Sequence, residues 1–281
     1  MSSMLRVGAV GYLNTKPLIE GLEGLLPGCK LSLDIPSRLA DSMRSGKVDV
    51  GLVPLAEFFR SGDYGMIPGI GITSSGPVGS VLLLAKNGLD SITHLAMDEG
   101  SRTSAALARI LLHKQFGLLP EIHLLPIGQT VVPPPIDGVL LIGDRAMKPF
   151  PWEFSESRDL GAWWTEETGL PFVYAVWAVR PGLVLKPEQT AAFHKALELG
   201  RSRLGEIARR ESERYGLPVS VISRYLTEQI GFDVGPREIE GMRTYGEMLV
   251  QFEKMVKQDR IRSEVCDGLQ ARSAGDFGQG R

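Results

Sequence analysis

The chain has 281 residues, 43% of them apolar and 23% charged, with a formal net charge of −2. It is large enough for one big domain or two small ones and can bury a core. No basic field covers it, which excludes an electrostatic nucleic-acid partner, and no apolar run reaches membrane-spanning length.

Residues 5–11 are small and apolar, as in a buried parallel strand. Pro17 suits the first turn of a helix, which is expected to run to about Leu26 and stop at Pro27-Gly28. Leu31 to Ile35 alternates as a strand. "PSRLADSMRSG" reads as a helix capped by Ser37, with Leu39, Ala40 and Met43 on one face and Gly46 as its stop. "KVDVGLVP" then reads as a strand and "LAEFFRSG" as a helix. This β-α-β-α order predicts a parallel sheet with helices on its faces.

Pro68 to Lys86 is glycine-rich and then continuously apolar from Val81 to Ala85. "HLAMDEGSRTSAALARILLHKQFG" follows as strand, turn and helix, "VVPPPID" as a loop, and "DGVLLIGDRAM" as a buried strand with a polar end. A second long apolar run spans Thr168 to Gly182. Phe193, Ala196, Leu197, Leu204, Ile207 and Ala208 mark one helical face. Another helix is expected near Ser220, and a third, opened by Pro236, carries Ile239, Met242, Leu249, Phe252 and Val256. The polar, glycine-rich stretch from about 267 to 281 reads as a flexible tail.

The two apolar runs bracket one βαβ-rich block, so the chain leaves one lobe, builds another and returns. The expected division is 1–84 plus 178–281 for lobe one and 85–177 for lobe two. Ligands of open α/β sheets bind outside the carboxyl ends of the strands, and two lobes can turn those ends toward one cleft.

Four segments place polar residues at such ends: Tyr12 to Thr15, Ser74 to Ser80, Asp98 to Ser104, and Gly143 to Arg145. The third is the most readable. Ser101 can cap a helix whose free amides at Arg102, Thr103 and Ser104 suit a carboxylate or phosphate, or Ser101 is a cap and nothing more. The glycines after Ser75, beginning with Gly76, either let backbone amides approach a ligand or only form a tight turn. Asp144 reads as a hinge residue, a hydroxyl binder or a general base. Asp49 reads as a surface or turn carboxylate. Lys16 either lends positive potential to the first segment or sits in solvent. Trp163 and Trp164 read as cover for a core. His94, His113, His123 and His194 show no metal-binding spacing, so no metal is expected. Cys29 and Cys266 are far apart and match no CxxC pattern, which points to a reducing, cytoplasmic setting. The start of the chain lacks an export-signal pattern and leaves no room for a DNA-binding helix-turn-helix ahead of the first strand.

The blocks "GAVGYLNTKPL", "DIPSRLADSMRSGKVDVGLVPLAEFF", "SSGPVGSVLLL", "DEGSRTSAALARILL", "VLLIGDRAM" and "DLGAWWTEETGLPFVYAVWA" resemble, in order over residues 5–182, the chorismate dehydratase family of menaquinone biosynthesis. A sister synthase of that pathway has a Ser-Pro-Cys-Pro-Asn type turn where this chain has "GYLNTKP". The resemblance implies a two-lobed, type II periplasmic-binding-protein-like α/β fold with two crossover strands. It implies a lyase that removes water from chorismate to give 3-[(1-carboxyvinyl)oxy]benzoate on the futalosine route, with no cofactor. It also implies active-site roles for Asn14 and Ser80 and a carboxylate-holding role for Ser101 to Ser104. Tyr12 and Thr15 are expected as wall residues, and Ser75, Gly76 and Asp144 as further substrate contacts. The proton goes either to Asp144 or to the substrate's own side-chain carboxylate. The rival reading is a non-catalytic small-anion binding protein of the same fold.

Overall fold

The computed structural model describes the backbone of residues 4–275 and the side chains as far as residue 259. Among these residues the strands are β1 (Leu5–Val10), β2 (Cys29–Asp34), β3 (Val50–Pro54), β4 (Gly65–Ser74), β5 (Val81–Ala85), β6 (His94–Asp98), β7 (Glu121–Leu125), β8 (Gly138–Ile142), β9 (Glu156–Asp159), β10 (Phe172–Val179) and β11 (Gly231–Val234). Six of them form one sheet, in the order β11-β4-β10-β3-β1-β2, and five form a second, in the order β7-β6-β8-β5-β9. The chain passes from the first sheet to the second through residues 75–80 and returns through 169–171. The expected lobe limits at 84/85 and 177/178 fall inside or at the end of β5 and β10, because each apolar run is a strand that belongs wholly to one sheet.

Neither sheet is purely parallel. β1 pairs in parallel with β2 and β3, but β10 returns antiparallel to both β3 and β4. In the second sheet β6 is parallel to β7 and β8, and β5 is antiparallel to β8 and β9. The βαβ order correctly signals the parallel part; the antiparallel partners are the strands next to the crossings, whose direction periodicity does not encode. Val7, Ala9, Val50, Leu52 and Val53 are fully buried, since helices cover both faces of the first sheet.

Local chemistry explains several differences from expectation. The segment after β1 is a 3-10 helix, Leu13–Ile19, with Pro17 inside it, and the chain then turns at Gly21 into a four-residue helix, α1 (Leu22–Leu25). One continuous helix does not form. α2 (Pro36–Arg44) begins two residues earlier than a Ser37 cap requires, because Pro36 itself occupies the first turn and Ile35 precedes it without a side-chain cap. α3 (Leu55–Ser61) follows β3 directly, and α4 (Thr103–Phe116) and α5 (Leu160–Thr168) cover the second sheet. Trp163 and Trp164, on α5, are fully buried, as expected for core cover.

In the C-terminal part the single expected face is split between α6 (Pro187–Ser202) and α7 (Leu204–Tyr215), which meet at Arg203. α8 (Val219–Arg224) runs into a π-helical turn, Tyr225–Gln229, and α9 (Pro236–Gly275) is the Pro-opened helix. The stretch expected as a tail, about 267–281, begins within α9, and its last six residues lie outside the described residues. Among the described residues no helix is long and apolar enough to cross a membrane.

Asp49 is not a surface carboxylate. Its side chain is 8% exposed and accepts hydrogen bonds from Arg6 N (2.9 Å), Arg6 Nη2 (2.7 Å) and Arg180 Nε (2.7 Å). It thus ties the start of β1 to the residue after β10. The Arg6 guanidinium, helped by Arg180, holds its carboxyl well below the usual carboxylate range. The stabilisation is therefore complete above the unfolded pKa and fades as pH falls through the lowered folded value. Asp49→Ala is expected to cost about 2–3 kcal/mol at neutral pH. Urea unfolding of both proteins should show that gap narrowing as the pH is taken from 5 toward 2.5.

Candidate functional site

The carboxyl ends of β1, β3, β4, β6 and β8 all point toward the space between the sheets. An inner cleft opens there, with an empty volume of about 560 Å³ including its mouth. Asn14 and Ser80 line it, facing Gly100 to Ser104 and Gly143. Val10, Ile72, Val78, Ile142 and Ile230 make most of the remaining wall apolar.

Ser80 is 2% exposed, and its hydroxyl lies 3.0 Å from the Tyr225 hydroxyl, itself buried in the π-helical turn. The backbone carbonyl of Ser80 accepts from Gly143 N at 2.8 Å. Burial pushes the Tyr225 phenol to a higher pKa, while hydrogen bonds from Ser80 and Asn14 act in the opposite direction. Tyr225 therefore stays protonated, and one phenol joins the two expected active-site residues. The buried Oδ1 of Asn14 has no hydrogen-bond partner within the protein. Nothing in the local pattern around Tyr225 marks it as a site residue. It reaches Ser80 from 145 positions away in sequence, on a turn whose form periodicity does not reveal.

The start of α4 forms the opposite wall. Ser101 Oγ accepts from Ala105 N at 2.9 Å, so the expected capping role is real although it acts one residue before the cap position. Ser104 is almost buried and its hydroxyl has no protein partner among the described residues. Arg102 is exposed and also lines the cleft. Thr103 differs: its hydroxyl accepts from Ala56 N and donates to the Tyr174 carbonyl, both at 3.1 Å. That hydroxyl is committed to joining the second-sheet helix to the first sheet and is not free for a ligand.

Tyr12 spans the two lobes. A Cβ on Gly143 would sit 3.2 Å from its ring, and one on Gly100 would overlap its hydroxyl, so both positions accept only glycine while Tyr12 stays where it is. Tyr12 separates the inner cleft from an outer pocket that contains Asp144, Arg145, Lys148 and Arg214. Asp144 lines only that outer pocket, where its Oδ1 accepts from Leu13 N at 3.2 Å. Asp98, at the end of β6, accepts from Gly100 N at 3.1 Å and from Arg145 at 3.2 Å, which fixes the turn into α4.

Ser75 is exposed and Gly76 is half-buried, and neither lines the cleft. Gly76 N donates instead to Thr165 Oγ1 at 3.0 Å, so this pair forms a turn held to α5. Thr15 is fully buried beneath the Tyr12 turn and lies outside the cleft lining. Lys16 is not in solvent. It is 5% exposed, 3.9 Å from Glu211, and burial lowers its pKa.

The sequence profile of a family described as menaquinone biosynthesis matches residues 5–251. The chain belongs to that family. It is similar to the chorismate dehydratase of Thermus thermophilus, with 32% identity over 237 residues, covering 78% of this chain and 86% of that one. Among solved structures it is similar to a protein of Archaeoglobus fulgidus, with a TM-score of 0.73 and 14% identity over 89% of this chain and 97% of that one. It is also similar to the periplasmic aliphatic sulphonate-binding protein of Escherichia coli, with a TM-score of 0.57 and 18% identity over 89% and 87%. These structural likenesses carry the fold, which is the two-lobed periplasmic-binding-protein type.

Burial raises the Asp144 carboxyl to about 6. A carboxyl whose folded pKa lies above its unfolded one is destabilising when ionised, and that cost grows from about pH 4 to about pH 6. Asp144→Asn keeps an acceptor for Leu13 N and is expected to gain up to about 2 kcal/mol at pH 7.5, with no gain below about pH 4. Thermal unfolding of both proteins across that range checks the sign.

Proposed function

We propose that this chain is a chorismate dehydratase, a hydro-lyase that converts chorismate to 3-[(1-carboxyvinyl)oxy]benzoate and water in the cytoplasm. The observation that carries the reading is the inner cleft. It sets the amide of Asn14 and the hydroxyl of Ser80 on one side against the amino end of α4, with Arg102, on the other. The similarity to the Thermus thermophilus chorismate dehydratase supports the same reaction. The cysteine usage described above supports the cytoplasmic setting.

Chorismate carries two carboxylates, a ring hydroxyl and, on the neighbouring ring carbon, an enolpyruvyl ether. The amino end of α4 offers backbone amides at Arg102 to Ser104, the Ser104 hydroxyl and the Arg102 guanidinium to one carboxylate. The apolar wall receives the ring. The hydrogen on the ether carbon leaves as a proton, its electron pair forms the new ring double bond, and the neighbouring C–O bond breaks. Asn14, Ser80 and Tyr225 behind it orient the departing hydroxyl and donate hydrogen bonds to it as it gains charge. Aromatisation drives the step.

Among the described residues no carboxylate or imidazole lines the inner cleft. Burial pushes the phenols of Tyr12 and Tyr174 upward in pKa, so neither is a base at neutral pH. Asp144 lies beyond Tyr12 and is engaged with Leu13 N. These observations support the side-chain carboxylate of the substrate as proton acceptor; the proton then leaves with the hydroxyl as water.

The test is to mix the purified protein with chorismate and follow formation of the aromatic product. Asn14→Ala and Ser80→Ala are each expected to lower kcat by about tenfold or more with the fold intact. Near-normal rates in both would overturn the site, and saturable binding without turnover in the unmodified protein would leave a carboxylate-binding protein. Asp144→Asn is expected to keep kcat within about threefold; a loss of about a hundredfold with unchanged KM would make Asp144 the base.

A further inference from the structure

At the end of β6 away from the cleft, three side chains converge that the proposed reaction does not use. β6 and β7 are parallel neighbours, and their register sets His94 opposite Glu121 and Ala96 opposite His123. Glu121 and His123 are two residues apart on one strand and so project from the same face. His94 Nδ1 lies 3.1 Å from His123 Nε2. Glu121 Oε2 lies 3.6 Å from the first nitrogen, and Glu121 Oε1 lies 3.5 Å from the second.

Those three separations match a coordination shell. An ion holding nitrogen and oxygen ligands tetrahedrally at about 2.0–2.1 Å separates them by about 3.3–3.4 Å. One Glu121 oxygen stands near each nitrogen, so an ion beside the histidine pair can take one nitrogen from each imidazole and one or both oxygens of the carboxylate. The backbone here is also firmly held. Asp137 accepts from His94 N at 2.8 Å and from the Thr93 hydroxyl at 2.6 Å, and Asp137 N donates to the His94 carbonyl at 3.1 Å. His94 and His123 are about 30% exposed, so solvent and ions reach them. Two imidazoles with one carboxylate suit a borderline transition ion and not calcium or magnesium.

We propose that His94, Glu121 and His123 form a zinc(II)-class site, completed by water, that clips the edge strand β7 to β6. His94 is four residues, about 13 Å along the strand, from Asp98 at the cleft end of β6, and none of the three residues lines the inner cleft. Its role is structural: an ion bound only by the folded state raises the stability of the second lobe.

The test uses tag-free, chelator-stripped full-length protein titrated with zinc against a chromophoric competitor, and with cobalt(II) followed by visible absorption. One zinc per chain in the micromolar range or tighter is expected, with an intense four-coordinate cobalt(II) band. His94→Ala and His123→Ala should each weaken binding at least tenfold, and Glu121→Gln by a smaller factor. Saturating zinc should raise Tm by about 5 °C in the unmodified protein and leave the doubly substituted protein unchanged. Absence of stoichiometric binding in the unmodified protein at 100 μM zinc overturns the proposal, as does undiminished binding after substitution of both histidines. Should the substituted proteins fail to fold, paramagnetic broadening by cobalt(II) of histidine ring signals decides: effects at His94 and His123 uphold the site, and effects only elsewhere overturn it.

Discussion

Both crossings between the lobes are held by one short helix, α5. At its amino end Asp159 accepts from Gly161 N (2.9 Å) and Ala162 N (3.1 Å) as a helix cap. The same carboxylate accepts from Val78 N (3.0 Å) and Gly79 N (2.7 Å) in the first crossing. In its middle, Thr165 Oγ1 accepts from Gly76 N at 3.0 Å, and the adjacent Trp164 Nε1 donates to the Pro171 carbonyl at 3.1 Å in the second crossing. Four backbone donors converging on one carboxylate make a strong, directional anchor. Ser80 follows directly on the segment so anchored. The placement of a cleft residue thus rests on a helix that touches no ligand.

Apart from Arg102, the cleft itself is built from neutral polar groups set in an apolar wall. Burying such groups is costly unless each finds a partner. Ser80 finds Tyr225, Thr103 bridges Ala56 and Tyr174, and Ser101 turns to Ala105. Asn14 Oδ1 stays unpartnered within the protein, and Asn14 lines the cleft. Among the groups lining the two spaces, the carboxylates stay in the outer pocket, behind Tyr12, where Asp144 lies with Lys148 and Arg214, while Arg102 is the charged residue of the inner cleft. The mostly apolar wall of the inner cleft strengthens any hydrogen bond formed to charge developing inside.

Much of this was legible in the residues. The strand ends at Val10, Asp98 and Ile142 were marked by polar clusters, and the paired apolar runs announced two crossings. The lobe limits were not, because a strand's composition does not say which sheet it joins. Ser75 and Gly76 carry the same signature as a ligand loop, yet the Gly76 amide serves a turn held to Thr165. Asp49 and Lys16 looked like solvent groups because their partners, Arg180 and Glu211, are more than 100 residues away. Tyr225 was hidden for the same reason, and also because its π-helical turn has no sequence period. His94 and His123 stand on neighbouring strands, so spacing along the chain could not pair them. In each case a short-range pattern gave the chemistry of the residue, and long-range pairing decided its use.

The strand order also has a temporal consequence. All five strands of the second sheet lie between Val81 and Asp159, without interruption by the first. In the first sheet β10 lies between β4 and β3, and β11 borders β4. During synthesis, therefore, β1, β2 and β3 emerge first, but their sheet cannot join β4 until residues past Val179 have left the ribosome. The second lobe can assemble while the first still waits for its middle strand. Residues 5–74, holding the Tyr12 turn, remain an open edge through that interval, and the last part of the first lobe made closes the site that its first part began.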